Sequence, residues 1–495
     1  MPTDPTTKSQ VQAYRFVLRR MESALVRKDS VMVHEPMRNH LRASAVGVIL
    51  GVLGLAAFYV IGLFSPTSQV EGNEIVIVKQ TGQVFVVQDS DPQRLIPVLN
   101  LASARLLYAA FSDLSDPPET RFVEESALAG IPRAPTTGLE GAPGTLPSPD
   151  KQVGGDWSVC DTAVVREELP NAESRPELST TAVIGVDRPG RPLGDDDALL
   201  VREDSSGAHY LVHSGQRMQV DPNDSAVALA YKLDTVEPRK VSTGLLNAIP
   251  EGRSLTPPDI PGAELSAPFP ELSGVRIGDV VQVSRTAGPP SYYLVLQEGM
   301  QQVERAVADV IRFSGGGFHE VRPEVIAKVP TAPEVSHRDF ADFPAQVPRV
   351  VEITEAPIAC VVWQDPAGQP VMTVSTGEQS LLGTGKQSVE LPGGGGGQGA
   401  DRVFLEPGKG ALVRGVVPGQ RPDIGAIWLV TELGVAYSVP SIEVARALGL
   451  GEQTTPAPES ILKLLQFGPA LNPQDALARF DPERAQRRAE QQGGG

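Results

Sequence analysis

The longest apolar run of the chain extends over residues 45–64. No charged side chain occurs between Arg42 and Glu71. Twenty helical residues rise about 30 Å, which matches the hydrocarbon core of a bilayer. The run begins well inside the chain and is not followed by the small residues of a cleavage site, which argues against a signal peptide. The pattern predicts one transmembrane helix over residues 45–64.

Basic residues are concentrated before this apolar run. After it, Glu71 and Glu74 precede the first cation, Lys79. Because positively charged flanks remain in the cytoplasm during insertion, we expect residues 1–44 to form a cytoplasmic arm and the chain after residue 64 to be exported. The basic residues that decide this orientation are Arg15, Arg19, Arg20, Arg27, Lys28, Arg38 and Arg42.

The cytoplasmic arm carries a second periodic pattern. Five apolar residues are spaced three and four positions apart, which places them on one face of a helix with arginines around it. This apolar stripe consists of Val11, Tyr14, Leu18, Met21 and Leu25, and the nearby arginines are Arg15, Arg19 and Arg20. Such a helix can pack on a second copy of itself, on another protein's helix or on an anionic membrane surface, or it can lack a specific partner. We predict that the stripe is a docking element and that Pro36 interrupts the path to the membrane.

An internal repeat is the most informative pattern in the exported part. Three segments each contain an aromatic residue followed by Leu-Val, then a glycine, a helix-like stretch and a closing proline. The aromatic residues are Tyr210, Tyr293 and Trp428, and a shorter copy is expected at Phe85. Units of this length are strand-and-helix modules that bury one face against a neighbour. We therefore predict four small α/β repeats.

The repeats alternate with β-like segments around Cys160 and Cys360, which we expect to form a central β-sheet domain. The predicted fold class is α+β, with one membrane helix. The predicted boundaries are cytoplasmic arm 1–44, transmembrane helix 45–64, first repeat 65–115, Pro/Gly-rich linker 116–155, central domain 156–204, second repeat 205–262, central domain 263–290, third repeat 291–330, central domain with a Gly-rich loop 331–420, fourth repeat 421–480 and flexible tail 481–495.

Charge and cysteine content add two constraints. The chain has a net charge of −17 although its arm is basic, so the exported part is strongly acidic. This balance argues against nucleic acid as a partner, which needs a basic surface. Cys160 and Cys360 are the two cysteines of the sequence, and both lie in the exported part. Because disulfides persist outside the cytoplasm, we predict one bridge between them; two free buried thiols are the alternative.

Motifs of catalysis and metal binding are weak or absent. The string Gly383-Thr-Gly385-Lys386-Gln387-Ser388 lacks both the first glycine and the terminal hydroxyl position of a Walker A phosphate loop. His209 and His213 alternate on a predicted strand, without a third metal ligand nearby in the sequence. Asp195, Asp196 and Asp197 are consecutive, which is typical of a turn and not of a calcium loop. We therefore predict no catalytic, cofactor-binding or metal-binding residue.

The arm, the membrane helix and several exported motifs together resemble the EccB family, the B component of the actinobacterial type VII (ESX) secretion membrane complex. The resemblance covers nearly the whole chain. It rests on Gln10-Val11, Arg15-Phe16, Leu18-Arg19-Arg20, residues 24–29, Met32, Pro36-Met37-Arg38, residues 100–105, Gly130-Ile131-Pro132, residues 157–161 and the segment 456–469.

This resemblance implies an inner-membrane protein with an elongated periplasmic region of four repeats around a central β domain, and a disulfide at positions matching Cys160 and Cys360. It implies homo-oligomers and assembly with an FtsK/SpoIIIE-type motor ATPase, a multispanning channel subunit, another core component and a membrane-anchored subtilisin-like protease. Family members are often labelled ATPases, but this sequence has no Walker A string. We therefore expect a structural subunit that shapes the periplasmic side of the secretion machine; the alternative is an atypical ATPase or hydrolase, for which ATP would be the ligand.

Overall fold

The structure is a computed structural model, and it describes residues 7–28, 36–64, 70, 72–111, 119–164, 177–187, 189–285, 288–332, 343–365, 370–378, 381–383, 385–392, 398–417 and 424–480. Contacts divide the chain into two units, Met1–Gln69 and Val70–Gly495. The predicted flexible tail 481–495 and the glycine run 393–397 lie outside the described residues.

The first unit contains two helices, α1 at Lys8–Arg27 and α2 at Pro36–Phe64. α1 begins at a capping box, in which Thr7 and Gln10 each bond the other's backbone N–H. Within α2, Asn39–Ile61 is long and apolar enough to cross a membrane, with a mean hydropathy of 2.3. α1 ends at Arg27 and Pro36 begins α2, so Pro36 does not lie inside a helix, and α2 starts before the predicted residue 45. Pro36 occupies the first helical position, where its missing N–H has no intrahelical partner to lose.

The second unit is built from short strands and helices. The strands are β1 Ile75–Val78, β2 Val84–Gln88, β3 Arg94–Pro97, β4 Thr120–Val123, β5 Trp157–Val164, β6 Glu177–Ile184, β7 Arg191–Pro192, β8 Asp197–Glu203, β9 His209–His213, β10 Gln216–Val220, β11 Arg239–Val241, β12 Val280–Val283, β13 Ser291–Val295, β14 Met300–Val303, β15 Phe318–Val321, β16 Arg349–Val350, β17 Ile358–Gln364, β18 Val371–Gly377, β19 Val389–Glu390, β20 Arg402–Phe404, β21 Gly410–Val416, β22 Ile427–Thr431, β23 Val435–Val439, β24 Thr455–Pro458 and β25 Gln466–Phe467. The helices are α3 Leu101–Phe111, α4 Ser225–Tyr231, α5 Thr243–Ala248, α6 Arg305–Phe313, α7 Pro323–Ile326, α8 Ile442–Ala447, α9 Glu459–Leu462 and α10 Pro473–Ala476.

Four sheets among the described residues share one topology. In each, three consecutive strands are antiparallel neighbours, a helix follows, and the next strand returns to pair parallel with the first. The sheets are formed by β1 to β4 with α3, β8 to β11 with α4, β12 to β15 with α6, and β21 to β24 with α8. The predicted four repeats are therefore present, including the short first copy around Phe85.

The glycine of the repeat pattern has a conformational reason. Gly215 and Gly434 make the turns between the second and third strands of their sheets, and their φ angles are +74° and +76°. A residue with a Cβ adopts such angles only at a cost in energy. The glycine therefore permits the tight turn that sets the register of the second strand against the third.

The predicted repeat boundaries need correction. Tyr210, Tyr293 and Trp428 lie on the second strand of their sheets, so each repeat starts one strand earlier than predicted. The first strands, β8, β12 and β21, lie in stretches assigned to the central domain, and residues 263–290 contribute β12 to the third repeat. These first strands are paired on both sides and buried, so their apolar sequence does not distinguish a repeat from a central sheet.

Parts of the predicted linker 116–155 pair with the first and fourth repeats. β4 completes the first repeat's sheet, so that repeat extends beyond residue 115. Farther along, Leu95 bridges to Arg133 in the first repeat, whereas Thr137 bridges to Arg479 and Gln152 to Gly410 in the fourth. Extended, proline-rich chain suits such single bridges because it offers few consecutive N–H donors.

The central sheet has the strand order β19-β20-β6-β5-β17-β18-β7. Its two middle strands, β5 and β17, are antiparallel and place Cys160 opposite Cys360. One face packs in the largest hydrophobic cluster with residues of the second and fourth repeats, such as Trp157 and Val361 with Leu245 and Val430. The sheet thus holds these two repeats through one shared core.

The repeats also pack in pairs. α3 of the first repeat contributes Ala102 and Leu106 to a cluster with Tyr437 and Leu448 of the fourth repeat. Between the second and third repeats, Tyr231 of α4 lies in a cluster with α6. The first and fourth repeats are therefore in direct contact, although they are far apart in the sequence.

Candidate functional site

A disulfide links β5 and β17, the two middle strands of the central sheet. Cys160 and Cys360 form a disulfide with an S–S distance of 2.04 Å. Both side chains are buried, and they pack with Ile358 and Val362 on the sheet face opposite the large shared core. The bridge predicted from the sequence is thus present, and it closes a loop with a sequence separation of 200 residues.

A buried carboxylate lies directly beside this bridge. Asp161 is 3 % exposed. It accepts hydrogen bonds from the backbone N–H of Ser242 (2.6 Å), the hydroxyl of Ser242 (2.9 Å) and the hydroxyl of Thr180 (2.8 Å). Thr180 also donates its backbone N–H to Asp401 at 2.7 Å. Because Asp161 and Thr180 belong to the central sheet whereas Ser242 caps α5 after the second repeat's sheet, Asp161 joins these two parts.

Burial dominates the electrostatics of this cluster. It raises the pKa of Asp161 to about 6, even though the Ser242 N–H and the two hydroxyls favour the charged form, and nearby Asp401 raises this pKa further. Desolvation also lowers the pKa of buried Arg239 to about 10. The Arg239 guanidinium donates to the backbone carbonyls of Glu352 (3.3 Å) and Ala356 (2.5 Å). The cluster therefore ties the second repeat to the segment that leads into β17.

The sequence did not indicate this cluster. Asp161, Thr180, Ser242 and Arg239 are common surface residue types, and their separations in the chain follow no motif. One available signal was the position of Asp161, immediately after the cysteine of a strand with alternating apolar residues. That signal does not identify the partners, which come from other parts of the chain.

The candidate phosphate loop around Lys386 is not followed by the helix that a Walker A site requires. A Walker A loop leads from a strand into a helix, whose N-terminus receives the phosphate. Here Lys386 lies over the ring of Phe404, 5.6 Å from its centroid, and the chain continues into β19. Arg402 donates to the hydroxyl of Ser388 at 2.7 Å. Residue 384 lies outside the described residues.

The histidines and the aspartate run have structural contacts. His213 Nδ1 is 3.1 Å from the backbone carbonyl oxygen of Asp197, and burial lowers the pKa of His209. Asp197 begins β8 and accepts from Arg349 Nε at 2.9 Å. Among the described residues, no group of three or more His, Cys, Asp or Glu side chains is placed to hold a metal ion.

The predicted docking stripe is exposed along α1. Val11, Tyr14, Leu18, Met21 and Leu25 are each between 39 % and 80 % exposed. Arg15, Arg19 and Arg20 are exposed on the same helix, and no residue of α1 is buried. Val17 is exposed beside the stripe, and Phe16 is exposed on a different side of the helix. The prediction did not include these two residues.

Comparison with known proteins gives one consistent family. The family described as "Type VII secretion system ESX-1, transport TM domain B" matches residues 3–482. The ESX-3 secretion system ATPase EccB3 of Mycolicibacterium smegmatis is 31 % identical over 492 residues, covering 96 % of this chain and 91 % of that protein.

Solved structures agree with this result. A chain of an intact ESX-5 inner membrane complex is similar with a TM-score of 0.70 and 29 % identity, over 97 % of each chain. An EccB3 dimer from the ESX-3 core complex gives a TM-score of 0.67 and 29 % identity, covering 82 % of this chain and all of the chain compared.

Proposed function

Because the chain belongs to the EccB family of type VII secretion components, we propose that it is a membrane-anchored structural subunit that shapes the periplasmic side of an ESX core complex. The observation that carries the proposal is the fold match to an ESX-5 inner membrane complex chain along nearly the whole length. The chain is a membrane protein with a periplasmic part, and its described buried polar cluster and disulfide serve to hold sheets together.

The orientation follows from charge. Cations flank the N-terminal side of α2, so residues 1–44 lie in the cytoplasm and the repeats in the periplasm of the cell envelope. A reporter that is active only in the periplasm is expected to work when fused after Val70 and to fail when fused after Arg42. The opposite result would reverse the topology and remove the basis for a periplasmic role of the repeats.

Docking through α1 is the second part of the proposal. The exposed stripe of α1 packs on a helix of another subunit, and its specificity comes from apolar contact. Burying a Leu-sized side chain contributes about 1.5 to 3 kcal/mol, whereas an arginine near an anionic leaflet contributes about 1 kcal/mol and does not distinguish one membrane from another. Candidate partners are the motor ATPase, the multispanning channel subunit, the other core component, the subtilisin-like protease and a second copy of this chain.

The test introduces two carboxylates into the stripe. Leu18→Asp with Leu25→Asp is expected to leave the protein in the membrane and its exported region folded, but to release it from the core complex on native gels and stop secretion. Ser9→Asp with Ser23→Asp adds the same charge on another side of α1 and serves as the control. Arg19→Gln with Arg20→Gln is expected to weaken assembly less. Wild-type yield of complex with the stripe variant would mean that the exported repeats hold the assembly together.

The alternative function is ATP hydrolysis, since the similar proteins carry the word ATPase in their names. Lys386 is the residue to test, because it is the lysine of the candidate phosphate loop. It lies over the ring of Phe404 and precedes β19. We expect the purified full-length chain with magnesium and ATP to show no turnover that scales with protein amount. Turnover that survives purification and is lost in Lys386→Ala would favour an enzyme.

A further inference from the structure

A groove lies between the second and third repeats, outside the central cluster and the docking stripe. It has a volume of about 670 Å³ and is lined by the end of α4, the chain before and along β13, the end of β14, one side of α6 and residues 345–347. This volume is in the range of protein ligand pockets. The groove is therefore large enough to hold several side chains of a ligand.

Large apolar side chains remain partly exposed in this groove. Leu229 is 49 % exposed, Phe313 is 41 % exposed and Val347 is 36 % exposed. Arg312 lies over the ring of Phe313, 5.5 Å from its centroid. Apolar surface gathered at the junction of two modules gains free energy when a ligand covers it.

The charge of the groove is opposite to that of the chain. Lys232, Arg285 and Arg305 line it, against Glu304 and Asp309. Arg305 is 3.9 Å from Asp309, whereas Lys232 and Arg285 make no ion pair with another described residue. The chain as a whole has a net charge of −17. Three cations against two carboxylates give the lining a net charge of +1, which favours a carboxylate ligand over a cationic one.

Another part of the lining is the start of α6. Glu304 is the N-cap residue of α6, and its side chain makes no capping hydrogen bond. The first N–H groups of a helix have no intrahelical partner and favour negative charge. Glu304, Arg305 and Ala306 line the groove, so the start of α6 forms part of its wall.

We propose that this groove binds an extended peptide segment of another protein in which carboxylate side chains alternate with large apolar ones. An inorganic anion would satisfy the cations but leave Leu229 and Phe313 exposed. A purely apolar peptide would leave Lys232 and Arg285 without partners. A segment with both properties uses the whole lining, and the proposal does not depend on the assignment to a secretion complex.

The test uses fluorescein-labelled peptides and full-length protein in lipid nanodiscs, with binding followed by fluorescence anisotropy. The probe is the C-terminally amidated pentapeptide Asp-Phe-Glu-Leu-Asp. Its comparisons are Lys-Phe-Lys-Leu-Lys, which reverses the charge, and Asp-Ser-Glu-Ser-Asp, which removes the apolar side chains. We expect micromolar binding of the probe, weakening with added salt, and at least tenfold weaker binding of both comparison peptides.

Variants localise the binding. Lys232→Glu with Arg285→Glu is expected to weaken probe binding at least tenfold, and Leu229→Ser several-fold. All three side chains are exposed, so we expect the variants to fold. Lys328→Glu, an exposed site of the third repeat outside the groove, changes the charge in the same sense and is expected to alter binding less than twofold. Unchanged binding in the double variant, equal binding of the charge-reversed peptide, or full displacement by millimolar inorganic phosphate or by anionic lipid vesicles would each overturn the proposal.

Discussion

Trp157 stands directly opposite Trp363 across the two middle strands of the central sheet, three residue pairs from the Cys160–Cys360 bridge. Each strand leads into an antiparallel neighbour of its own half, β6 after β5 and β18 after β17. At the edges the halves exchange strands, since β7 pairs with β18 and β20 pairs with β6. The two halves therefore cannot separate without breaking the sheet on both sides of the bridge.

The first prediction concerns the disulfide. Replacing both cysteines, as Cys160→Ala with Cys360→Ala, is expected to lower the free energy of unfolding by about 2 to 5 kcal/mol, because the bridge closes a long loop and restricts the unfolded chain. Chemical denaturation of the second unit in the full-length protein measures this loss. A reductant is expected to bring the wild type to the value of the variant and to leave the variant unchanged. Two free thiols in the native protein by mass spectrometry would contradict the prediction.

The second prediction concerns the pH dependence that Asp161 creates. Its pKa is about 6 in the folded protein and 3.8 for an ordinary Asp side chain. The folded state therefore binds more protons than the unfolded state between these values. This contribution is fully present below pH 3.8 and is lost as the pH rises through 6. From pH 7 to pH 4 it is expected to raise the free energy of unfolding by on the order of 2 kcal/mol.

The Asp161→Asn variant isolates this contribution. Its amide does not titrate, so its stability curve is expected to lack the rise that Asp161 provides on acidification. Its amide oxygen is expected to accept the Ser242 N–H while its NH2 donates to the Thr180 and Ser242 hydroxyls, as the protonated wild-type carboxyl does, so the two proteins are expected to have similar stability at low pH. Parallel pH profiles for wild type and variant would refute the assigned titration of Asp161.

The third prediction compares two helix caps. Ser242 caps α5 through the Leu245 N–H and also donates its hydroxyl to Asp161, whereas Ser441 caps α8 through the Val444 N–H. Ser441→Ala is expected to cost about 1 kcal/mol. Ser242→Ala is expected to cost about 1 to 3 kcal/mol more, because a buried carboxylate loses a donor. Thermal or chemical denaturation gives both values, and equal losses would mean that the Asp161 contact adds nothing.

The fourth prediction uses two adjacent leucines of α3. Leu106 packs in the cluster shared with the fourth repeat, and Leu107 packs on the first repeat's own sheet. Either leucine changed to alanine is expected to cost about 2 to 5 kcal/mol. With Leu106→Ala, hydrogen exchange is expected to accelerate in β22 and β23 as well as in the first repeat. With Leu107→Ala, it is expected to accelerate in the first repeat alone, and the same exchange pattern for both variants would contradict the assigned packing.

The sequence predicted local patterns better than it predicted which sheet a strand joins. The aromatic-Leu-Val signature located the second strand of three repeats, and the cysteines located the middle strands of the central sheet. The first strands of the second, third and fourth repeats were assigned to the central domain because buried strands of different sheets have the same apolar composition. Pro36 was read as an interruption because a proline alone does not show whether it begins or breaks a helix.

The hydrogen-bond partners of buried Asp161 and Arg239 could not be predicted from the sequence, for a different reason. Asp161 receives its donors from Ser242 and Thr180, and Arg239 donates to carbonyls near residue 352. These contacts depend on how the second repeat is placed on the central sheet, which no local pattern encodes. The groove between the second and third repeats was missed for the same reason, since its cations and apolar side chains come from separate segments.

The contact of α3 with the fourth repeat shortens the path between two ends of the second unit. The first repeat follows the membrane helix in the chain, and its Leu106 shares a buried cluster with Leu448 of the fourth repeat. Arg105 donates to the carbonyl of the same leucine. A force applied to the fourth repeat is therefore expected to reach the first repeat directly through this cluster, and not only through the central sheet and the covalent chain between them.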